Sequence, residues 1–104
     1  METRVEGISP IWFLYLLECR DSSIYTGVAR DVERRFAAHC AGKGARYTRA
    51  HPPLRILAAT AIGDRSQALS AEYRVKQLTA AEKRRLAADP DLLRDYIRSS
   101  KSPG

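Results

Sequence analysis

The stretch that decides the fold is WFLYLLECRDSSIYTGV, residues 12–28. Its first part, residues 12–19, is a continuous apolar run of strand length that is rich in aromatic residues. Polar residues 20–23 interrupt this run, and a second short run begins at Ile24. Two runs of this kind separated by a short polar turn predict a β-hairpin.

The length of the turn decides whether Tyr15 and Tyr25, one on each arm of the hairpin, share a face of the sheet. Because side chains alternate between the two faces, a turn of two or four residues would separate the tyrosines, and a three-residue loop would bring them together. We expect the three-residue loop, Asp21 to Ser23, or a bulge with the same effect. Sheet packing alone also explains an aromatic cross-strand pair.

Signals for a helix, a loop and a third strand follow the hairpin. Asp31 is a good N-cap for a helix from Val32 to about Ala41 that ends at Gly42. Residues 42–53 have the glycines, prolines and charges of a loop, and residues 54–62 alternate as a strand does. The predicted helix face consists of Val32, Phe36 and Cys40, and the alternating strand positions are Leu54, Ile56, Ala58, Thr60 and Ile62.

Three more helices are predicted in the remainder of the chain. Asp64 to Gln67 has the order of a capping box, for a helix that runs to about Leu78. Thr79 begins a basic helix, and Asp89 begins a last one that ends near Arg98. The order ββαβααα predicts an α+β fold, with a small, three-stranded, mostly antiparallel sheet flanked by helices. We expect a single domain over residues 1–98 and a frayed tail at 99–104.

The composition favours a small globular protein with a polyanionic partner. The chain has 104 residues, of which 44% are hydrophobic, so it can bury a modest core. Its 18 Lys and Arg residues outnumber the 12 Asp and Glu residues, which gives a formal charge of +6. No apolar stretch approaches the roughly 18 residues of a membrane span, and residues 1–10 lack the order of a signal peptide. We therefore expect a cytoplasmic protein that does not bind membranes.

The two cysteines, Cys19 and Cys40, are too few and too widely spaced for a zinc site. We expect both to be small buried hydrophobic residues in a reducing compartment.

Glu72 is a candidate metal ligand. On the predicted helix it lies beside the apolar stripe formed by Ala68, Ala71, Val75 and Leu78, so its carboxylate belongs near the edge of the core. Hard oxygen donors suit Mg²⁺, which often takes only one or two protein carboxylates. The alternative is an ordinary flanking charge that reaches solvent or pairs with Lys76, four residues on.

Arg35 and His39 are four residues apart, so they share a helix face and can act on one ligand. A planar guanidinium can hold two oxygens of a phosphate, which favours arginine over lysine at such a site. The alternative is a solvated basic face formed by Arg30, Arg34 and Arg35, with His39 packed at the helix end.

Several segments, in this order, resemble the GIY-YIG nuclease family, and most of all its small single-domain YhbQ-like bacterial members. The segments are LYLLE at 14–18, YTG at 25–27, GVARDVERRFAAH at 27–39, GKGARYTR at 42–49, GDRSQALSAEYRVKQLT at 63–79 and EKRRL at 82–86. Together they cover about residues 11–88, which we take as the core of the domain. The resemblance implies a GIY-YIG-like fold.

The resemblance also implies a catalytic site made of Tyr15, Tyr25, Arg35, His39 and Glu72. The tyrosine of the family's first tripeptide matches Tyr15, although Leu14 and Leu16 replace its glycine and isoleucine, and the second tripeptide matches Tyr25 to Gly27. Arg35 matches the phosphate-binding arginine, His39 a histidine found in some members, and Glu72 the metal-binding glutamate. Many members carry an asparagine after that glutamate, and this chain contains none.

The segment after the first predicted helix adds a candidate nucleic-acid surface. Its basic side chains and one aromatic side chain could follow a phosphate backbone and stack on an unpaired base. The residues are Lys43, Arg46, Tyr47, Arg49 and Arg55, with His51 among them. An ordinary solvated loop is the alternative.

These features favour an endonuclease that depends on a single Mg²⁺ or Mn²⁺ ion and cuts DNA, in preference to RNA, in repair or recombination. Tyr25 would orient or deprotonate the attacking water with the support of Tyr15, and Arg35 would neutralise charge on the phosphate. The rival is a nucleic-acid-binding module that keeps the fold and cuts nothing. A structural protein of the ribosome or nucleoid explains the charge but not the position of Glu72.

Overall fold

The computed structural model describes residues 10–99, which form three strands and five helices. The elements are β1 (Trp12–Cys19), β2 (Ile24–Ala29), α1 (Val32–Cys40), α2 (Arg46–Ala50), β3 (Pro53–Gly63), α3 (Arg65–Lys76), α4 (Ala80–Ala87) and α5 (Pro90–Ser99). Ser99 thus ends α5, and the rest of the predicted tail, like residues 1–9 of the predicted domain, lies outside the described residues. The α+β class is confirmed.

One helix, α2, was not predicted, so the order is ββααβααα. The segment between α1 and β3 contains a single turn of helix from Arg46 to Ala50, where the sequence predicted only loop. This helix has no side-chain cap at Ala45, and glycines and prolines flank it. Short helices without capping residues leave no periodic signal in a sequence.

The three strands form an antiparallel sheet in the order β2-β1-β3. In the hairpin, Tyr15 pairs with Gly27 and Leu17 pairs with Tyr25, so both tyrosines lie on one face. The loop has three residues, Arg20 to Ser22, because the Cys19 N–H donates to the Ser23 carbonyl at 2.9 Å. Ser22 has a φ of 74°, so it supplies the left-handed conformation that such three-residue loops require. The predicted loop length is confirmed, one residue earlier in the chain.

The predicted alternation of β3 is wrong, because the strand contains a bulge. Leu16 pairs with Ala58 and Leu17 pairs with Ile56, so Leu57 is the extra residue between them. Ile56 consequently packs against the cluster around Tyr15, whereas Leu57 and Ile62 pack on the opposite face. Leu54, predicted to face inward, is 51% exposed.

Helices cover both faces of the sheet, and β1 between them is the most deeply buried strand. Helices α3, α4 and α5 contribute to a core on the face that carries Leu14 and Leu16. Helix α1 packs on the other face, against Tyr15 and Leu17. The predicted stripe of α3 is confirmed, since Ala68, Ala71 and Val75 are buried.

The prediction for the cysteines is correct for Cys19, which is buried, and wrong for Cys40, which is exposed at the end of α1. Val32 and Phe36 pack inward as predicted. One further turn of the helix brings His39 inward instead of Cys40, because seven residues complete nearly two turns.

A charged group on β1, here called the Glu18 cluster, joins the hairpin to β3 and α4. The Glu18 carboxylate accepts hydrogen bonds from Arg55 at 2.6 Å and from Arg84 at 3.0 Å, and Arg84 also donates to the Ser22 carbonyl at 2.6 Å. These bonds hold the pKa of Glu18 below its usual range. All three charged side chains of the cluster are thus partnered within it.

Within residues 10–99, no helix has the length and apolar character that crossing a membrane requires.

Candidate active site

Tyr15 and Tyr25 lie side by side on the α1 face of the sheet. Their ring centroids are 6.3 Å apart, and Tyr15 is 1% exposed. The Tyr15 ring lies directly over Gly27, where an added Cβ would be 2.5 Å from the tyrosine hydroxyl. The space beside Gly27 is thus filled by the side chain of Tyr15.

His39 is buried behind the tyrosines, and both of its ring nitrogens are hydrogen-bonded. Nε2 lies 2.9 Å from the Tyr15 hydroxyl, and Nδ1 lies 2.7 Å from the Thr48 hydroxyl. Thr48 in turn donates to the Ala45 carbonyl at 3.0 Å, so its oxygen is an acceptor toward His39. This assigns the proton of the neutral ring to Nδ1, and Nε2 accepts from Tyr15. We call this directional chain, Tyr15, His39 and Thr48, the buried relay.

Thr48 and Gly44 belong to the site, and sequence reasoning missed their roles. Thr48 is 1% exposed on α2, nine residues from the histidine that it holds. Gly44 packs on the imidazole so closely that an added Cβ would overlap Nδ1. The available signal was the run GKGARYTR, which contains both residues but shows no periodicity that separates Thr48 from its neighbours.

The electrostatics keep the buried relay uncharged. Burial, followed by the neighbouring Tyr25, raises the pKa of Tyr15 to about 12, although Arg35 acts in the opposite direction. Burial lowers the pKa of His39, and the positive charge of Arg35 lowers it further. Near neutral pH, Tyr15 is therefore a protonated donor and His39 is a neutral acceptor.

Arg35 is exposed on α1, and its guanidinium lies close to the relay. Burial raises the pKa of both Tyr15 and Tyr25, and the positive charge of Arg35 acts against that rise, so the guanidinium lies within electrostatic range of both hydroxyl groups. Because the Tyr15 proton is donated to His39, the Tyr15 oxygen keeps its lone pairs available as acceptors. The cation beside it has forked N–H groups that are suited to phosphate oxygens.

Glu72 approaches the same site from α3. Its negative charge raises the pKa of Tyr25, after burial of that ring, and contributes to the raised pKa of Tyr15. Its side chain is 17% exposed, and Lys76 lies 3.5 Å away, as the alternative reading of the sequence proposed. The five predicted residues therefore lie around one site, with Tyr15 and His39 buried and Tyr25, Arg35 and Glu72 at its accessible side.

The donors at this site fit a loosely held Mg²⁺ or Mn²⁺ ion. No group of three or more His, Cys, Asp and Glu side chains within residues 10–99 could form a closed metal site. Glu72 alone offers a carboxylate oxygen here, and Mg²⁺ accepts one protein carboxylate when water and substrate phosphate complete its coordination.

The predicted nucleic-acid surface is divided. Arg46, Tyr47 and Arg49 are exposed on α2, and Lys43 is exposed just before it. Tyr47 lies 5.8 Å from Tyr25 and stacks on His51 at 4.2 Å between centroids, so aromatic rings extend outward from the site. Arg55 lies apart, because its guanidinium is held in the Glu18 cluster.

Known proteins resemble this chain over most of its length. Residues 11–85 match the family described as the GIY-YIG catalytic domain. UPF0213 protein YhbQ of Escherichia coli O1:K1 / APEC is 46% identical over 92 residues, which cover 88% of this chain and 92% of that protein. UPF0213 protein Reut_B5558 of Cupriavidus pinatubonensis is 56% identical over 72 residues, covering 69% and 80%.

A solved structure is also similar. The solution NMR structure of the UPF0213 protein BH0048 from Bacillus halodurans is 42% identical, covers 75% of this chain and 83% of that chain, and superposes with a TM-score of 0.47. The segment that matches the catalytic domain includes all three strands and the five site residues.

Proposed function

Because this chain belongs to the GIY-YIG catalytic domain family, we propose that it is an endonuclease that depends on a divalent metal ion and hydrolyses phosphodiester bonds in DNA. The observation that carries the proposal is the grouping of Tyr15, Tyr25, Arg35, His39 and Glu72 around one site, although they come from β1, β2, α1 and α3. Folding alone does not require a guanidinium that lacks a carboxylate partner among residues 10–99 to lie beside a carboxylate and two tyrosines. The named relatives are bacterial, and we place the activity in the bacterial cytoplasm, in DNA repair or recombination.

The accessible residues contact the substrate in this proposal. Arg35 binds non-bridging oxygens of the scissile phosphate and neutralises the charge that develops there during attack. Tyr25 orients the attacking water, and Glu72 holds the metal ion. When bound, a divalent ion polarises the phosphate and eases departure of the leaving oxygen.

The buried relay positions these groups. The hydrogen bonds from Thr48 through His39 to Tyr15 hold the Tyr15 ring in place beside Tyr25. His39 therefore acts through Tyr15 and does not touch the substrate.

The rival function is nucleic-acid binding without cleavage. The contact between Glu72 and Lys76 favours it, since a carboxylate already paired with lysine is less available to a metal ion. The chain also lacks the asparagine that many family members carry. This rival predicts binding that falls with salt and survives the loss of Glu72.

The test is incubation of the pure protein with labelled single-stranded, duplex and branched DNA and with RNA, each with Mg²⁺, Mn²⁺ or EDTA. We expect DNA cleavage with metal ions, none with EDTA, and none by Glu72→Gln. Glu33→Gln, which makes the same charge change at an exposed position of α1, should cut normally. Binding without cleavage on every substrate would establish the rival function, and full activity of Glu72→Gln would refute the role of Glu72.

A further inference from the structure

Two arginines outside the site described above share one tryptophan ring. The guanidinium carbon of Arg30 lies 5.6 Å from the centroid of the Trp12 ring, and that of Arg65 lies 5.9 Å from it. Trp12 begins β1, Arg30 follows β2, and Arg65 begins α3. We propose that this group, here called the Trp12 clamp, is a second phosphate site that binds the nucleic-acid backbone beside the scissile phosphate.

Neither arginine of the Trp12 clamp has a carboxylate partner among residues 10–99. The acidic residues next to them in sequence, Asp31 and Asp64, are N-caps whose Oδ1 atoms accept from the backbone N–H groups of Arg34 and Gln67. Both cations thus lie within 6 Å of the same ring centroid without a carboxylate partner in the described part of the chain, in contrast to the arginines of the Glu18 cluster.

The position of Arg65 also opposes helix stability. It is the first residue of α3, where the partial positive charge of the helix dipole disfavours a cation. A contact with an aromatic ring acts against this cost but leaves both positive charges in place. A bound anion would compensate both guanidinium charges.

The clamp is aligned with the candidate active site. Arg65 and Glu72 are seven residues apart on α3, so they lie on nearly the same face and about 10.5 Å apart along the helix axis. One strand of a duplex rises about 3.4 Å per nucleotide along the duplex axis, so a rise equal to this spacing is about three nucleotide steps. A strand whose scissile phosphate lies at Glu72 and Arg35 can therefore place a neighbouring phosphate, within about three nucleotides, at the clamp.

The chemistry of the clamp selects the backbone and not the bases. Guanidinium forks match phosphate oxygens, and the indole ring restricts the orientations of both side chains before binding. The clamp therefore contributes affinity and direction on the strand but no sequence preference. This inference rests on the proposed function, because it places the clamp relative to a scissile phosphate.

The first experiment counts phosphate contacts. Binding of duplex DNA is measured in EDTA between about 50 and 200 mM salt, for the unmodified protein and for Arg30→Gln and Arg65→Gln. Each substitution should reduce the slope of log K against log salt by about 0.9, the value for one lost phosphate contact. Arg85→Gln, which removes the same charge from an exposed position of α4, should leave the slope unchanged.

The second experiment locates the contact. A single uncharged methylphosphonate is moved along the bound strand, and a position within about three nucleotides of the site of cleavage should weaken binding by the unmodified protein. The same replacement should have no further effect on Arg65→Gln. Trp12 is the chain's only tryptophan, so its fluorescence should change on DNA binding and should change less in the two clamp variants.

The outcomes separate this inference from the proposed function. Both experiments measure binding, so a protein that does not cleave DNA can still show the reduced slope of log K against log salt. For such a protein, the sensitive methylphosphonate position is reported relative to the ends of the bound strand. Slopes that are unchanged in both clamp variants overturn the clamp, even if the protein is an active nuclease. Unchanged DNA binding together with Arg30- and Arg65-dependent binding of a polyglutamate peptide would also overturn it, in favour of an acidic peptide ligand.

Discussion

Strand β1 carries two polar clusters that differ in how completely their charged side chains are paired. In the Glu18 cluster, one carboxylate accepts from two arginines that come from β3 and α4. In the candidate active site, three residues away on the same strand, the buried relay is uncharged and the charged groups stand at its edge. Both clusters connect several elements, so connectivity does not distinguish them.

The pairing of the charged side chains is the difference. In the Glu18 cluster the carboxylate and both arginines are hydrogen-bonded to one another, as expected of a group that holds the hairpin to the rest of the fold. Arg35 is accessible and makes no ion pair within residues 10–99, and the pair between Glu72 and Lys76 is long at 3.5 Å. An exposed cation next to a loosely paired carboxylate can bind an anionic ligand, such as a phosphate, together with a metal ion.

The same substitution in the two clusters should give the largest contrast. Arg35→Gln removes the cation that would neutralise the phosphate, so we expect DNA cleavage to fall at least about 100-fold. Arg55→Gln removes an exposed arginine from the Glu18 cluster, so cleavage should stay within about twofold. Initial cleavage rates measure both effects, and equal losses in the two variants would erase the distinction drawn here.

Gly27→Ala tests how closely the relay is packed. The new Cβ would meet the Tyr15 hydroxyl at 2.5 Å and its Cζ at 2.6 Å, so the ring must move. We expect a loss of about 1–3 kcal/mol in the free energy of unfolding, as for other overpacked cores, together with a loss of cleavage. Urea denaturation measures the first effect. Unaltered stability would mean that the Tyr15 ring can adopt another conformation without loss of packing.

Thr48→Val should reduce cleavage less than Gly27→Ala does. Valine keeps the shape of the side chain but leaves the buried Nδ1–H of His39 without its acceptor, at a cost of about 1–3 kcal/mol. The proton of His39 is then no longer fixed on Nδ1, and cleavage should fall about tenfold for that loss of orientation. Thr48→Ser keeps the hydroxyl and should restore cleavage. Failure of serine to do so would assign the effect to packing alone.

The pH dependence of stability should show the relay directly. The pKa of His39 is lower in the folded than in the unfolded state, so below about pH 6.5 the unfolded state binds more protons and stability falls as the pH falls. The pKa of Tyr15 rises from 10.0 to about 12, so above pH 10 the folded state retains its proton and stability falls as the pH rises. Denaturation midpoints are measured across this range, and the decrease below about pH 6.5 should be absent in His39→Gln. A decrease of unchanged size in that variant would assign it to other groups.

The hairpin and four of the five helices within residues 10–99 could be predicted because their signals are local. A loop of three residues was predicted because an odd length places Tyr15 and Tyr25 on one face of the sheet. The pairing of Tyr15 with Gly27 and of Leu17 with Tyr25 confirms that they share a face. Asp31 and Asp64 are N-caps in the structure as in the prediction, because capping depends on residues only three positions apart.

The parts that could not be predicted depend on packing between distant segments. The bulge at Leu57 is set by how β3 fits β1, and nothing in the alternation of residues 54–62 marks it. Thr48 is one polar residue among several, and its role becomes visible only when α2 places it against His39. Cys40 was assigned inward by helical periodicity, which cannot fix the rotation of a short helix to within one residue.

Consecutive residues of β1 serve opposite purposes, and this limits how the sequence can evolve. Leu14 and Leu16 fill the core beneath α3, whereas Tyr15 between them lies in the candidate active site. Insertion or deletion of one residue in this strand would exchange leucine for tyrosine on both faces at once. Relatives can therefore diverge by substitution along β1, but length changes should accumulate elsewhere, in the segments that join the strands to the helices.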